Sequence, residues 1–408
     1  MNILLINHYA GSRNHGMEYR PYYLSREWVR LGHNVTVVAA SFSHLRTRLP
    51  DLNGEITEEN LDGIRYVWLK TPRYQGSGAG RVFNMLSFLR QLYGHCEEIT
   101  TNRKPDIVIA SSTYPLDIFP ASRFSRKAGA KLIFEVHDLW PLSPIELGGF
   151  PRWHPFIVMM QIAENFACRH ADRVVSILPK TGQHLADHGM AAHKFTHIPN
   201  GVDIEEWDGT TGNLQEPHGE LLRKLRASGR FIVGYAGGHS VSNALDMFIE
   251  AAKIMEGRSV DFVLVGQGPQ KKMLERKAES LGARNVFFLS PVRKEEVPSL
   301  LAGMDALFIG WKRTPLYRFG VSPNKLMDYM MAGKPVIHAI EAGNDMVADS
   351  GCGLTVPPEK PQAIANAVEQ LMVMPVEERE AMGARGREYV LANHDYRVLA
   401  RRFLQVMA

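Results

Sequence analysis

Residues 317–337 read Tyr317-Arg318-Phe319-Gly320-Val321-Ser322-Pro323-Asn324-Lys325-Leu326-Met327-Asp328-Tyr329-Met330-Met331-Ala332-Gly333-Lys334-Pro335-Val336-Ile337. Gly320 and Pro323 mark a loop, the pattern after them predicts a helix starting near Asn324, and Gly333-Lys334-Pro335 ends that helix ahead of a buried strand. A helix N-terminus offers unpaired backbone N–H groups and so forms an anion site, here with the charges of Arg318 and Lys325 close by. Ser322, Pro323, Asn324 and Leu326 belong to the same loop and first turn. Asp328, about one turn further on, can accept hydrogen bonds from a diol.

The same alternation extends outward. Short apolar runs at Phe231–Tyr235, Asp261–Val265, Val286–Leu289 and Ala306–Ile309 read as strands of a parallel sheet, with a helix from Leu245 to about Met255. The turn after the first run, Gly237 to Asn243, offers Gly238, His239 and Asn243 as ligand contacts, and Gly266 after the second is a weaker glycine-turn signal. Toward the N-terminus, Ile3–Ile6, a helical pattern over Met17–Leu31 closed by Gly32, and Val35–Ala39 form one βαβ unit, followed by runs at Ile107–Ala110, Leu132–Glu135 and Val174–Ile177. The pattern breaks after His197. We therefore divide the chain into a first domain over 1–203, a linker over 204–229, a second domain over 230–390, and a C-terminal helix over 391–408 that caps a domain or crosses back to the first. Both domains read as doubly wound, and open sheets of this kind bind ligands at the carboxyl ends of their strands, so the expected site is a cleft between them.

The 408 residues are too many for one ordinary core, and 45% hydrophobic with 22% charged residues excludes disordered and fibrous classes. The formal charge of +4 is mild and spread along the chain, which argues against nucleic acid as partner. Cys96, Cys168 and Cys352 lie far apart with no paired metal-ligand spacing, so no metal is expected. The N-terminus has no basic n-region and no stretch reaches spanning length, which predicts a cytoplasmic chain that touches the inner membrane at most peripherally. Two apolar stretches, Arg81–Tyr93 and Trp153–Met160, are either membrane-facing or core helices.

Two further groups are candidates for chemistry. His137 follows a buried strand in a loop closed by Trp140-Pro141, where it either serves a ligand or is hydrogen-bonded for structure. Glu18 begins the first helix and either positions a hydroxyl or complements the helix dipole, and the N–H groups around Gly16 offer a phosphate contact.

Three phrases in order carry a family resemblance: Val136-His137-Asp138-Leu139-Trp140-Pro141, Ile198-Pro199-Asn200-Gly201-Val202-Asp203, and the 317–337 segment. The chain resembles glycosyltransferase family 4, of the two-Rossmann-domain GT-B fold, across nearly its whole length. Ser-Pro-Asn-Lys-Leu-x-Asp-Tyr-Met is similar to the bacterial O-antigen and capsule branch of WbuB-like L-N-acetylfucosamine transferases. The resemblance implies a retaining, metal-independent transfer from a UDP-sugar co-substrate, with no other cofactor, to a lipid-diphosphate-linked or other glycan acceptor. It places His137 near the transferred sugar and makes Asn200-Gly201 the interdomain phrase. Two departures stand against it. The family's first acid, eight residues before Asp328, is Gly320 here, and the family's Arg and Lys after the second domain's first strand are replaced by His239 and Asn243. The diphosphate charge is then expected from Arg318 and Lys325, and Lys325 joins His137 and Glu18 as a catalytic candidate. A UDP-sugar 2-epimerase of the same architecture and an inactive nucleotide-sugar binder are the competing readings. A nicotinamide dehydrogenase is disfavoured because Gly11 and Gly16 do not form G-x-G-x-x-G.

Overall fold

Near-continuous apolar runs become the central strands, because a parallel sheet covered by helices buries both of its faces. The computed structural model describes residues 1–76, 78–101, 103–207 and 214–408, and these form two compact units, Met1–Asn200 with Tyr396–Ala408, and Gly201–Asp395.

The first unit holds strands β1 (Asn2–Ile6), β2 (Asn34–Ala40), β3 (Ile56–Leu61), β4 (Ile64–Leu69), β5 (Ile107–Ala110), β6 (Lys131–Val136), β7 (Arg173–Ser176) and β8 (Phe195–His197). Their order across the sheet is β3-β4-β2-β1-β5-β6-β7-β8, parallel throughout except for the β3–β4 hairpin. That hairpin is absent from the sequence reading. Its outer strand is polar and partly exposed, so it lacks the apolar run that marks the others, yet its tight turn was signalled by Asp62-Gly63, both at positive φ (51° and 82°). The first helix is Arg20–Arg30, three residues shorter at its start than the expected Met17–Leu31, with Pro21 in its first turn fixing the entry.

The second unit holds β9 (Phe231–Ala236), β10 (Val260–Val265), β11 (Val286–Leu289), β12 (Ala306–Gly310), β13 (Val336–Ala339) and β14 (Gly353–Val356), in the order β11-β10-β9-β12-β13-β14 and all parallel. Alternate residues feed two cores. Ile232, Val263, Leu307 and Ile309 pack on one face with Leu326, Met327 and Met330, while Val233, Tyr235, Phe262 and Phe308 pack on the other with Phe248 and Ile364.

Three boundaries differ from expectation. The first unit ends at Asn200 rather than 203, because the Val202 N–H bonds the His394 carbonyl at 2.8 Å and Val202 pairs with Asp395 inside the second unit. Within the expected linker, residues 208–213 lie outside the described residues. The rest carries helix His218–Ala227, whose Leu222 and Leu225 pack into the second unit's core, so it is part of that unit. The C-terminal helix starts at Tyr396, not 391, and belongs to the first unit: Trp28 Nε1 donates to the Ala400 carbonyl at 3.1 Å, and Phe403 packs edge-on against Trp28. The chain thus leaves the first unit at Asn200-Gly201 and returns to it at Tyr396. No described helix is long and apolar enough to cross a membrane.

Candidate active site

In each sheet the strand order reverses at the first strand of the unit, β1 between β2 and β5, and β9 between β10 and β12. Such switch points open a crevice at the strands' carboxyl ends; the second unit's cluster lies at the end of β9 and the first unit's at the ends of β5 and β6.

In the second unit, the carboxyl end of β9 leads into Gly237-Gly238-His239 and helix Asn324–Met331 approaches it. Lys325 Nζ lies 2.5 Å from Asn243 Oδ1 and 3.1 Å from the Tyr235 hydroxyl, and 5.0 Å and 5.7 Å from the ring centres of Tyr235 and Trp311. The Tyr235 hydroxyl and Asn243 Nδ2 both donate to the Gly238 carbonyl at 2.7 Å, which locks the turn. Among the described residues no carboxylate pairs with Lys325. Burial therefore acts uncompensated on its ammonium group and pushes its pKa down to about 8. The helix behind it starts after Pro323 with no side chain capping its N–H groups, and Asn324 Oδ1 is buried without a partner. The cluster has anion-binding chemistry: one ammonium, an open helix start and a glycine turn.

His239 is fully buried with both ring nitrogens unpartnered, and burial, with Lys271 and Lys325 nearby, holds its pKa at about 4. Its imidazole is neutral and cannot replace a phosphate-binding arginine. Gly266 bonds the Leu289 carbonyl through its N–H, and a Cβ there would sit 2.0 Å from the Gly237 carbonyl oxygen. Its service is to let two loops meet.

Other members of the sequence-derived set lie elsewhere. Leu326 is fully buried in the core and has no face toward a ligand. The exposed Arg318 guanidinium donates to the Pro315 carbonyl of its own turn at 2.6 Å and covers the Phe319 ring. Ser322 is half-buried beside the anchored Val321, whose N–H bonds Asn344 Oδ1 at 2.7 Å. Asp328 points toward Lys294 and Glu206, which form an ion pair of 3.0 Å, and burial pushes its carboxyl up to about 6 despite Lys294. Gly320, in the place of the missing acid, is buried at φ 97°, a conformation that disfavours a side-chain-bearing acid.

In the first unit, Arg20 reaches from the first helix to Glu135 Oε1 (3.0 and 2.9 Å) and to the carbonyls of Ile198 and Pro199. Ser111 Oγ donates to Glu135 Oε2 at 2.6 Å, and His137 Nε2 lies 3.0 Å from Ser111 Oγ and 3.2 Å from Glu135 Oε2. Burial raises the Glu135 carboxyl, but Arg20, His137 and Ser111 outweigh it and bring the pKa to about 2. With the serine proton directed at Glu135, His137 Nε2 directs its own proton toward these oxygens, which fixes the ring. The His137 loop is itself fixed: Asp138 accepts from Ser143 Oγ, Trp140 Nε1 and the Leu139 N–H.

Two first-unit expectations change. The Gly16 N–H itself bonds the Ser12 carbonyl at 2.8 Å, so a phosphate contact there falls to the neighbouring N–H groups. Glu18 lies in the loop before the helix, its N–H on the Tyr9 carbonyl and its carbonyl on the Gly11 N–H, rather than in the first helical turn. Sequence reading missed Arg20, Ser111, Glu135 and Tyr235. A carboxylate inside the apolar run Leu132-Ile133-Phe134-Glu135-Val136 was the available signal, since a buried charge requires partners.

Comparison with known proteins gives the family. Residues 15–201 match the glycosyl transferase 4-like domain and residues 230–373 match the glycosyl transferases group 1. D-rhamnosyltransferase WbpZ of Pseudomonas aeruginosa is 36% identical over 298 residues, 68% of this chain and 73% of that one. WcaI of Escherichia coli K12, assigned as a colanic acid biosynthesis glycosyl transferase, is 23% identical over 93% of both chains. Among solved structures, WaaG, a glycosyltransferase involved in lipopolysaccharide biosynthesis, superposes with a TM-score of 0.67 at 16% identity over the full length of both chains. With its two halves matched in order, a 36%-identical relative and this fold, the chain belongs to the GT-B glycosyltransferases that join a glycosyl transferase 4-like domain to a group 1 domain.

Proposed function

We propose that this glycosyltransferase transfers a 6-deoxyhexose, N-acetyl-L-fucosamine in the first instance, from a UDP-linked donor to a lipid-diphosphate-linked glycan, with retention of configuration and without a metal ion at the reaction. The observation that carries the reading is Lys325: a half-buried ammonium group, without a carboxylate, at an uncapped helix start beside a glycine turn. A nucleoside diphosphate supplies the negative charge such a site lacks. The sugar assignment rests on the Ser322–Met330 phrase and agrees in chemical class with the D-rhamnosyltransferase relative, since rhamnose and fucosamine are both 6-deoxyhexoses.

In this reading the second unit holds the donor. Lys325, Asn324 and the Gly237-Gly238 turn take the diphosphate. The acceptor hydroxyl forms its bond to the anomeric carbon on the face from which the diphosphate departs. The C–O bond to the diphosphate breaks, and a leaving phosphate oxygen takes the hydroxyl proton, so the protein stabilises charge and positions groups rather than forming a covalent intermediate. His137, held by Glu135 and Ser111, orients the transferred sugar.

Membrane contact has support in the first unit, where Phe83 and Leu86 on one helix and Val158 and Ile162 on another are exposed while Met85, Phe88, Ile157 and Met160 are buried. Each helix thus has a core side and an apolar outer side suited to a lipid surface.

Calorimetric titration with UDP tests the donor assignment. Lys325→Met is expected to weaken binding about 10- to 100-fold, the range of a charge-assisted hydrogen bond. Equal affinity in the variant would remove Lys325 from the site.

A further inference from the structure

One cluster of metal-ligating atoms lies outside every residue assigned to transfer. Glu164, on helix Pro155–His170, is 2% exposed. His184 lies on the short helix Gly182–Asp187 and His188 at its end, four residues apart and therefore on one face, with ring centres 4.6 Å apart. His184 Nε2 is 3.1 Å from Glu164 Oε1 and His188 Nε2 is 3.8 Å from Glu164 Oε2, and the three ligand atoms lie within 4.8 Å of one another. Tetrahedral ligation with bonds of about 2.0–2.1 Å sets ligand atoms roughly 3.3 Å apart; the 3.1 Å from His184 Nε2 to Glu164 Oε1 is close to that spacing, and the remaining separations, within 4.8 Å, contract as an ion enters.

The surrounding groups aim the ligands. Gln161 Nε2 has two hydrogens for Glu164 Oε2 at 2.8 Å and Asn165 Oδ1 at 2.9 Å, so His188 Nδ1, which it also approaches at 3.0 Å, donates to Asn165 Oδ1 at 2.9 Å. That tautomer turns the Nε2 lone pair of His188 toward Glu164, the outer-shell arrangement of metal-bound histidines. Charge points the same way. Among the described residues no lysine or arginine pairs with the buried Glu164 carboxylate, whose ionic partners are the two imidazoles themselves, so a cation held by all three would supply the positive charge a buried carboxylate requires. The two imidazoles are 14% and 26% exposed, which leaves an entry path.

We propose that Glu164, His184 and His188 form a binding site for one divalent transition-metal ion of the zinc class, with water in the fourth position, tying helix Pro155–His170 to helix Gly182–Asp187. Two imidazole nitrogens and one carboxylate select zinc-like ions over magnesium or calcium, which take oxygen ligands. The site lies apart from the residues assigned to sugar transfer and joins two helices of the first unit.

The full chain, stripped with chelator and dialysed, would be titrated with zinc chloride by calorimetry and followed by thermal unfolding, with magnesium chloride as control. The expected result is saturable binding of one zinc per chain and a rise in Tm that magnesium does not give. The double variant His184→Ala/His188→Ala is expected to lose both, as is the near-isosteric Glu164→Gln, which keeps a partner for Gln161. Asn165→Ala is expected to bind zinc about 10- to 100-fold more weakly. Cobalt(II) in place of zinc should give visible d–d absorption of a four-coordinate ion in the wild type alone. Absence of saturable zinc binding, or unchanged zinc affinity in the folded double variant, would overturn the proposal.

Discussion

Lys325 is held by an amide oxygen and a phenol, neither of which neutralises it, and this makes its protonation visible in ligand binding. Burial has brought its pKa down to about 8, so the ammonium form dominates at pH 7 and is lost as pH rises through 8. Affinity for UDP should therefore fall between pH 7 and 9 in the wild type, and that fall should vanish in Lys325→Met, as read by calorimetry at several pH values. In the first unit, His137→Ala should leave UDP affinity unchanged and lower turnover about a hundredfold, the size of a lost positioning contact. Full turnover in that variant would make the Glu135–Ser111–His137 network a structural one. Residue identity was only partly legible. The 317–337 phrase named Lys325 because a cation beside a helix start has an evident partner in an anion. It named Arg318 and Leu326 on the same adjacency, yet the first folds back on its own turn and the second faces the core. Adjacency along a helix fixes direction only at 3.6-residue spacing, and Leu326, one residue past Lys325, points about 100° away.

The elements were more legible than the residues where both faces of a strand are buried, as in β1, β5 and β9, because an unbroken apolar run is what such a position demands. The β3–β4 hairpin escaped because an outer strand with Glu58, Glu59 and Asn60 reads as loop. The C-terminal helix could be read as amphipathic, but not where its apolar side rests. It rests on the first unit, with Leu399, Phe403 and Met407 in the same core as Leu24 and Trp28. Phe403 is fully buried against Trp28, so Phe403→Ala should cost about 3–5 kcal/mol by denaturant unfolding. A cost below about 1 kcal/mol would mean that this helix is not integral to the first unit.

For the whole molecule, two doubly wound units in one chain were legible from the repeated strand–helix grammar, and the family followed from phrases in the correct order. Their boundaries were not, since single backbone contacts such as Val202 to His394 decide them and leave no mark on composition. The exposed apolar residues of the first unit give a prediction at this scale: the chain should float with vesicles of anionic lipid, and Phe83→Asp/Ile162→Asp should abolish flotation while preserving UDP affinity. Flotation unchanged by both aspartates would place the membrane contact elsewhere or remove it. The central claim, a transferase whose second unit holds a nucleotide-linked sugar at Lys325, is tested most directly by nucleotide release. Purified protein would be given UDP- and GDP-linked 6-deoxyhexoses, UDP-N-acetyl-L-fucosamine included, with and without a lipid-diphosphate-linked sugar, in the presence of chelator. The account predicts nucleotide diphosphate formation that requires the acceptor, survives the chelator and is lost in Lys325→Met; interconversion of the donor sugar without acceptor, or release undiminished in Lys325→Met, would contradict it.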